Sequence, residues 1–122
     1  MISLTPRTPS SLAQTHGVRE ITPAEAAERL ERGEVQLVDV REPREWEYCR
    51  IEGATHAPLS RFLAHVQEID PERPVVLYCH TGVRSVYAAA FLQQQGFGEV
   101  YSLAGGIDAW SREVDPAVPR YR

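Results

Sequence analysis

Residues 74–85 read PVVLYCHTGVRS, and the reading of this stretch decides the fold. Val75, Val76, Leu77 and Tyr78 form an unbroken apolar run behind a proline, the pattern of a strand buried on both faces. The run stops at Cys79. Gly82 then permits the backbone angles of a tight turn, and from Ser85 to Gln95 the composition is helical, with Val86, Ala89, Ala90 and Leu92 available for burial and Gly96 as the stop. A buried strand that passes through a short loop into a helix is half of a crossover unit, which implies parallel strands.

Outward from this stretch the alternation repeats. Val35 to Val40 reads as a second buried strand that delivers Asp39 and Arg41 to its C-terminal end, followed by a short helix around Arg44 to Tyr48. Val18 to Ile21 opens a short strand, and Thr22-Pro23-Ala24-Glu25 reads as a capping box with proline in the first turn of a helix that ends at Gly33. A short strand is expected near Ala54 to His56 and a helix from Ser60 carried by Phe62, Leu63 and Val66. Glu99 to Leu103 makes the fifth strand, and Gly105-Gly106 precedes a helix over Ile107 to Glu113. Residues 1–17, rich in Ser, Thr and Pro, read as a loosely held arm, and 116–122, with two prolines, as an extended surface tail. Residues 18–115 are thus expected to be one α/β domain on a mainly parallel sheet, with ligands bound beyond the carboxyl ends of its strands.

Composition narrows the function. The chain has 122 residues, 43% hydrophobic and 25% charged, enough to build its own core. Its 17 acidic against 13 basic residues give a net charge of -4, and no basic stripe interleaved with aromatics occurs, which argues against nucleic acid as a partner. No apolar run approaches the ~20 residues of a membrane span, and the N-terminus lacks the apolar core of a signal peptide; a cytoplasmic protein is expected. Cys49 and Cys79 are the only cysteines and are read as reduced thiols, with no spacing that makes a metal site. No motif requires a metal, nucleotide or organic cofactor.

Chemistry converges on Cys79. Between a strand end and a helix start, with Gly82 at the centre of the turn, backbone N–H groups point inward, and an arc of such donors together with a helix N-terminus stabilises a sulfur anion. Cys79 then becomes a nucleophile, and Arg84 adds a permanent positive charge for an anionic substrate. The plainer alternative is a small hydrophobe ending a core strand. It leaves the close succession of Gly82, Arg84 and a helix start unexplained. His80 suits either an acid–base role or a solvent-facing loop position, and the latter is favoured.

The segments DVREPREWE, IEGATHAPL, VVLYCHTGVRS, Gly96-Phe97 and LAGGIDAW resemble, in order and spacing, the rhodanese sulfurtransferase domain across residues 18–115. The resemblance implies a three-layer fold, a central five-stranded sheet with helices on both faces. It implies that Cys79 carries a persulfide, taking sulfane sulfur from thiosulfate or a persulfide donor and passing it to cyanide, a thiol or a protein. His80, Thr81, Gly82, Val83, Arg84 and Ser85 correspond to the loop around that sulfur. Asp39 and Arg41 correspond to an element near the active-site mouth, where they either support the loop or substrate or form a structural ion pair. Asp39 is read as structural; for Arg41 the two readings balance. Cys49 and Arg50 stand where the family usually has Gly and His, and Cys49 is read as a chance substitution rather than a partner of Cys79. The tail VDPAVPRY is similar to the end of rhodanese domains fused to enzymes that activate sulfur-carrier proteins, which would make the acceptor a protein. Two other classes remain: a non-catalytic binding or sulfide-sensing module, whose members commonly lose the cysteine, and a phosphatase-like hydrolase, whose loop has five residues between Cys and Arg where this chain has four.

Overall fold

In the computed structural model, residues 10–122 are described. The strands are β1 (Arg19–Ile21), β2 (Gln36–Asp39), β3 (Thr55–His56), β4 (Val75–Tyr78) and β5 (Val100–Leu103). They form one sheet in the order β1-β5-β4-β2-β3 with every pairing parallel. β4 is central, and all four of its residues are buried, as its unbroken apolar run requires.

The pleat sorts the side chains into two cores. Val75 and Leu77 join Val38, Val40 and Val100 on one face, beneath Ala13 of α1 (Ser11–Thr15), Phe62 of α4 (Phe62–His65) and Val86, Ala89 and Leu92 of α5 (Arg84–Gln94). Val76 and Tyr78 join Ile21, Leu37 and Leu103 on the other. There they meet Ala26 of α2 (Pro23–Glu31) and Ile107 and Trp110 of α6 (Gly106–Glu113). The layers are those of the expected three-layer α/β domain. The short helix α3 (Pro43–Tyr48) starts with a reciprocal capping box between Glu42 and Glu45.

Both ends are more ordered than their composition suggests. Of the expected arm, residues 1–9 lie outside the described residues, but Ser11–Thr15 forms α1. Ser10 caps it by accepting from the Ala13 N–H, and Ala13 is fully buried. One apolar methyl under the sheet and one cap suffice to fix a short turn that propensity alone would not hold. The tail runs over the surface but is anchored in it: Val118 is buried, its carbonyl accepts from Ser111 Oγ at 2.6 Å, and Tyr121 reaches the strand ends. Tyr48 is exposed and meets the Tyr121 ring edge-on. No helix of the described residues is long and apolar enough to cross a membrane.

Candidate active site

The carboxyl ends of β2 and β4 lie side by side, with Asp39 opposite Tyr78, so the two sequence elements singled out for chemistry are neighbours. Cys79 follows β4 directly and is buried, at 1% exposure. Its Sγ accepts the Gly82 N–H at 3.1 Å and the Ser85 N–H at 3.4 Å, and it lies 3.4 Å from Ser85 Oγ. Gly82 reaches this position at φ +101, where a side chain is strained. Ser85 belongs to the first turn of α5, so its N–H is one of the donors a helix start leaves free. The sulfur thus rests between one loop amide and one helix amide, a setting that suits negative charge on sulfur.

Two supporting features were not expected. Ser85 Oγ lies 2.7 Å from Ser102 Oγ of β5, and both serines are fully buried. A serine within the otherwise apolar strand VYSL was the available signal. Behind the loop, the Ile107 N–H donates to the Cys79 carbonyl at 2.9 Å and the Asp108 N–H to the His80 carbonyl at 3.1 Å. The first turn of α6 therefore engages both carbonyls.

The remaining loop residues separate by exposure. Thr81 and Val83 stand at the exposed rim. His80 is half-buried rather than solvent-facing: its ring stacks on Tyr121 with centroids 4.0 Å apart, and Nε2 bonds the Tyr121 carbonyl at 2.8 Å. The Arg84 fork is already engaged, Nη1 with Glu45 Oε1 at 2.6 Å and Nη2 with Oε2 at 2.9 Å. Tyr121 Oη donates to the same carboxylate at 2.7 Å. Glu45 and Tyr121 went unnoticed in the sequence because nothing local marks a partner 39 or 76 residues away.

Asp39 and Arg41 are both fully buried and paired, with Arg41 Nη2 at 2.7 Å and Nε at 3.1 Å from the carboxylate. Arg41 also donates to the Cys49 carbonyl at 2.6 Å and to Tyr121 Oη at 2.9 Å. Its side-chain bonds run to Asp39, Cys49 and Tyr121, and breaking such a buried pair costs about 3–5 kcal/mol. Cys49 packs in the core on the Tyr78 face, whereas Cys79 belongs to the core on the opposite face. Both thiols are free. Cys49→Ser is expected to keep turnover within about twofold of wild type and to lose about 1 kcal/mol of stability, as a small buried substitution does. A large fall in turnover with the fold intact would restore a role in the reaction.

The Glu45 carboxyl is held down to about 2 by Arg84, with Tyr121 adding to the effect and burial opposing it. A depressed carboxylate stabilises the fold above its unfolded value and loses that contribution as pH falls through the folded one. The stability gap between wild type and Glu45→Gln should therefore narrow between about pH 5 and pH 2, followed by denaturant unfolding. A gap that stays constant over that range would contradict the pairing.

A parallel α/β sheet thus presents a buried thiol to two amide donors at the end of its central strand. The chain belongs to the rhodanese family: the family model described as rhodanese-like domain matches residues 22–113. A thiosulfate sulfurtransferase GlpE from Actinobacillus pleuropneumoniae is 37% identical over 102 residues, covering 84% of this chain and 94% of that protein. The chloroplastic rhodanese-like/PpiC domain-containing protein 12 of Arabidopsis thaliana is 42% identical over 92 residues, but the chain spans only 31% of its length. Among solved structures, a rhodanese-related protein from Thermoplasma volcanium superposes with a TM-score of 0.74 at 28% identity, over 84% of this chain and 99% of that one.

Proposed function

We propose that this chain is a sulfurtransferase that carries sulfane sulfur as a persulfide on Cys79. The observation that carries the reading is the position of Cys79 Sγ, 3.1 Å and 3.4 Å from the Gly82 and Ser85 amides at the end of the central strand. The Cys79 thiolate attacks the outer sulfur of thiosulfate; a new S–S bond forms and the old one breaks, its electron pair leaving on sulfite. The persulfide anion that results keeps its charge near the amides that held the thiolate. Cyanide or a thiolate, free or on a protein, then attacks the outer sulfur, and Cys79 returns as the thiolate. No proton is needed in either half, which fits a site whose histidine is bonded to the tail rather than to the sulfur. A relative that the chain covers almost end to end is named a thiosulfate sulfurtransferase, and a cytoplasmic setting, where thiols stay reduced, suits the chemistry.

The four residues between Cys79 and Arg84 make a tight loop that fits one sulfur atom better than a tetrahedral phosphate, which weighs against hydrolysis. The intact cysteine weighs against a purely binding module. The test is intact-mass measurement after incubation with thiosulfate, with peptide mapping to locate the added sulfur, followed by cyanide and a thiocyanate assay. One sulfur on Cys79 that cyanide removes is the expected result. An unmodified protein that forms no thiocyanate would end this reading.

A further inference from the structure

The cation that the loop could offer to an anionic donor is already taken. Both terminal nitrogens of Arg84 are bonded to Glu45. Nor is Glu45 free to swing aside: it accepts from Tyr121 Oη at 2.7 Å and from its own capping box, through the Glu42 N–H, at 3.1 Å. Tyr121 is fixed in turn by Arg41 Nη1 at 2.9 Å and by its stack on His80, and Arg41 is itself locked by Asp39. Glu45 stays charged at any pH near neutrality, because Arg84 holds its carboxyl at about 2.

The adjoining cleft repeats the theme. It encloses about 420 Å³ and sets Arg44 and Arg122 against Glu42 and Glu45, with Tyr48, His80 and Tyr121 as its aromatic wall. Its charges cancel. A volume of that size is in the range of sites for organic molecules and far exceeds a sulfite leaving group.

We infer that Glu45, positioned by Tyr121, determines donor specificity: by filling the Arg84 fork it disfavours dianionic donors and selects organic sulfane donors that carry a single negative charge. A thiosulfonate or the persulfide of a thiol has that charge and an organic body for the cleft. Thiosulfate brings two charges, and its sulfonate oxygens compete with Glu45 for the same guanidinium edge. This inference rests on the sulfur-transfer reading and names the substrate class of that site.

Two donors that differ by one charge test it. Benzenethiosulfonate gives up its outer sulfur to the Cys79 thiolate and leaves as benzenesulfinate; thiosulfate does the same and leaves as sulfite. The thiosulfate-to-benzenethiosulfonate ratio of kcat/KM cancels effects common to both. In Glu45→Gln this ratio should rise about tenfold, mainly through a lower KM for thiosulfate, because a ground-state repulsion has been removed. Tyr121→Phe keeps the ring stacked on His80 and loses only the hydroxyl. It should move the ratio about threefold in the same direction, and it decides alone if Glu45→Gln does not fold. A general loosening of the mouth would slow both donors alike and leave the ratio in place. An unchanged or lowered ratio in the folded variants, with sulfur still reaching Cys79, would overturn the inference while the proposed function stands. If neither donor leaves sulfur on wild-type Cys79, the function fails and the inference with it.

Discussion

Cys79→Ser is expected to yield a folded protein with no measurable sulfur transfer. The substitution replaces one sulfur by one oxygen at a position 1% exposed, with donors on the Gly82 and Ser85 amides that a hydroxyl accepts as readily as a thiol. Its structural cost is that of a small buried change, about 1 kcal/mol, and the melting temperature should fall by only a few degrees. The chemistry, by contrast, is lost whole. A serine hydroxyl is not ionised near neutral pH, and no base stands beside it: the partner of Ser85 Oγ is another serine, and His80 is turned to Tyr121. Loss of an unassisted nucleophile removes roughly 10⁴-fold or more of the rate, down to background. The measurement is thiocyanate formation beside intact mass and a thermal melt. Persulfide on the variant, necessarily at Cys49, with turnover retained, would show that the reacting sulfur had been misplaced.

The parts of this site that were legible in the sequence are those built from neighbours along the chain. The VVLY run, the glycine three residues after Cys79 and the helix that follows fix where the thiol sits, because strand, turn and helix chemistry are all local. Asp39 and Arg41 were legible as a pair, but not the burial of Arg41 or its bonds to Cys49 and Tyr121. An arginine at the end of an apolar strand must find such partners, yet nothing in the sequence says which. The anchoring of the tail was not legible either. Two prolines and three charged residues in DPAVPRYR read as solvent-exposed, but Val118 and Tyr121 are two apolar anchors that suffice to dock it. Through Tyr121 the tail reaches Glu45, and so Arg84. Charge pairing at the mouth is thus decided by tertiary contacts, and a motif that contains Arg84 alone overstates the cation it presents.

Gly106→Ala is expected to damage both the fold and the site. A Cβ on Gly106 would stand 2.4 Å from the His80 carbonyl oxygen, 2.5 Å from its carbon and 2.6 Å from the Cys79 oxygen. All are backbone atoms of the active-site loop, so no rotamer change can relieve the contact. Gly106 is also at φ +62, and holding a side chain there costs about 1–3 kcal/mol before any clash. Forcing an added methyl into a packed site costs about 1–3 kcal/mol more. The sum of about 2–6 kcal/mol is a large share of a small domain's stability and corresponds to a melting temperature lower by about 10–25 °C. Withdrawing α6 relieves the clash, and that breaks the bonds from the Ile107 and Asp108 amides to the Cys79 and His80 carbonyls. Cys79 would then keep its thiol in a loop no longer shaped to stabilise the anion, so persulfide formation should collapse even below the melting transition. Gly98→Ala supplies the contrast, since Gly98 has an ordinary φ and nothing within 4 Å of its Cβ position; it should be neutral within about 0.5 kcal/mol. Equal stability and equal thiosulfate turnover in the two variants would mean that the close approach of α6 to the loop plays no part in forming the site.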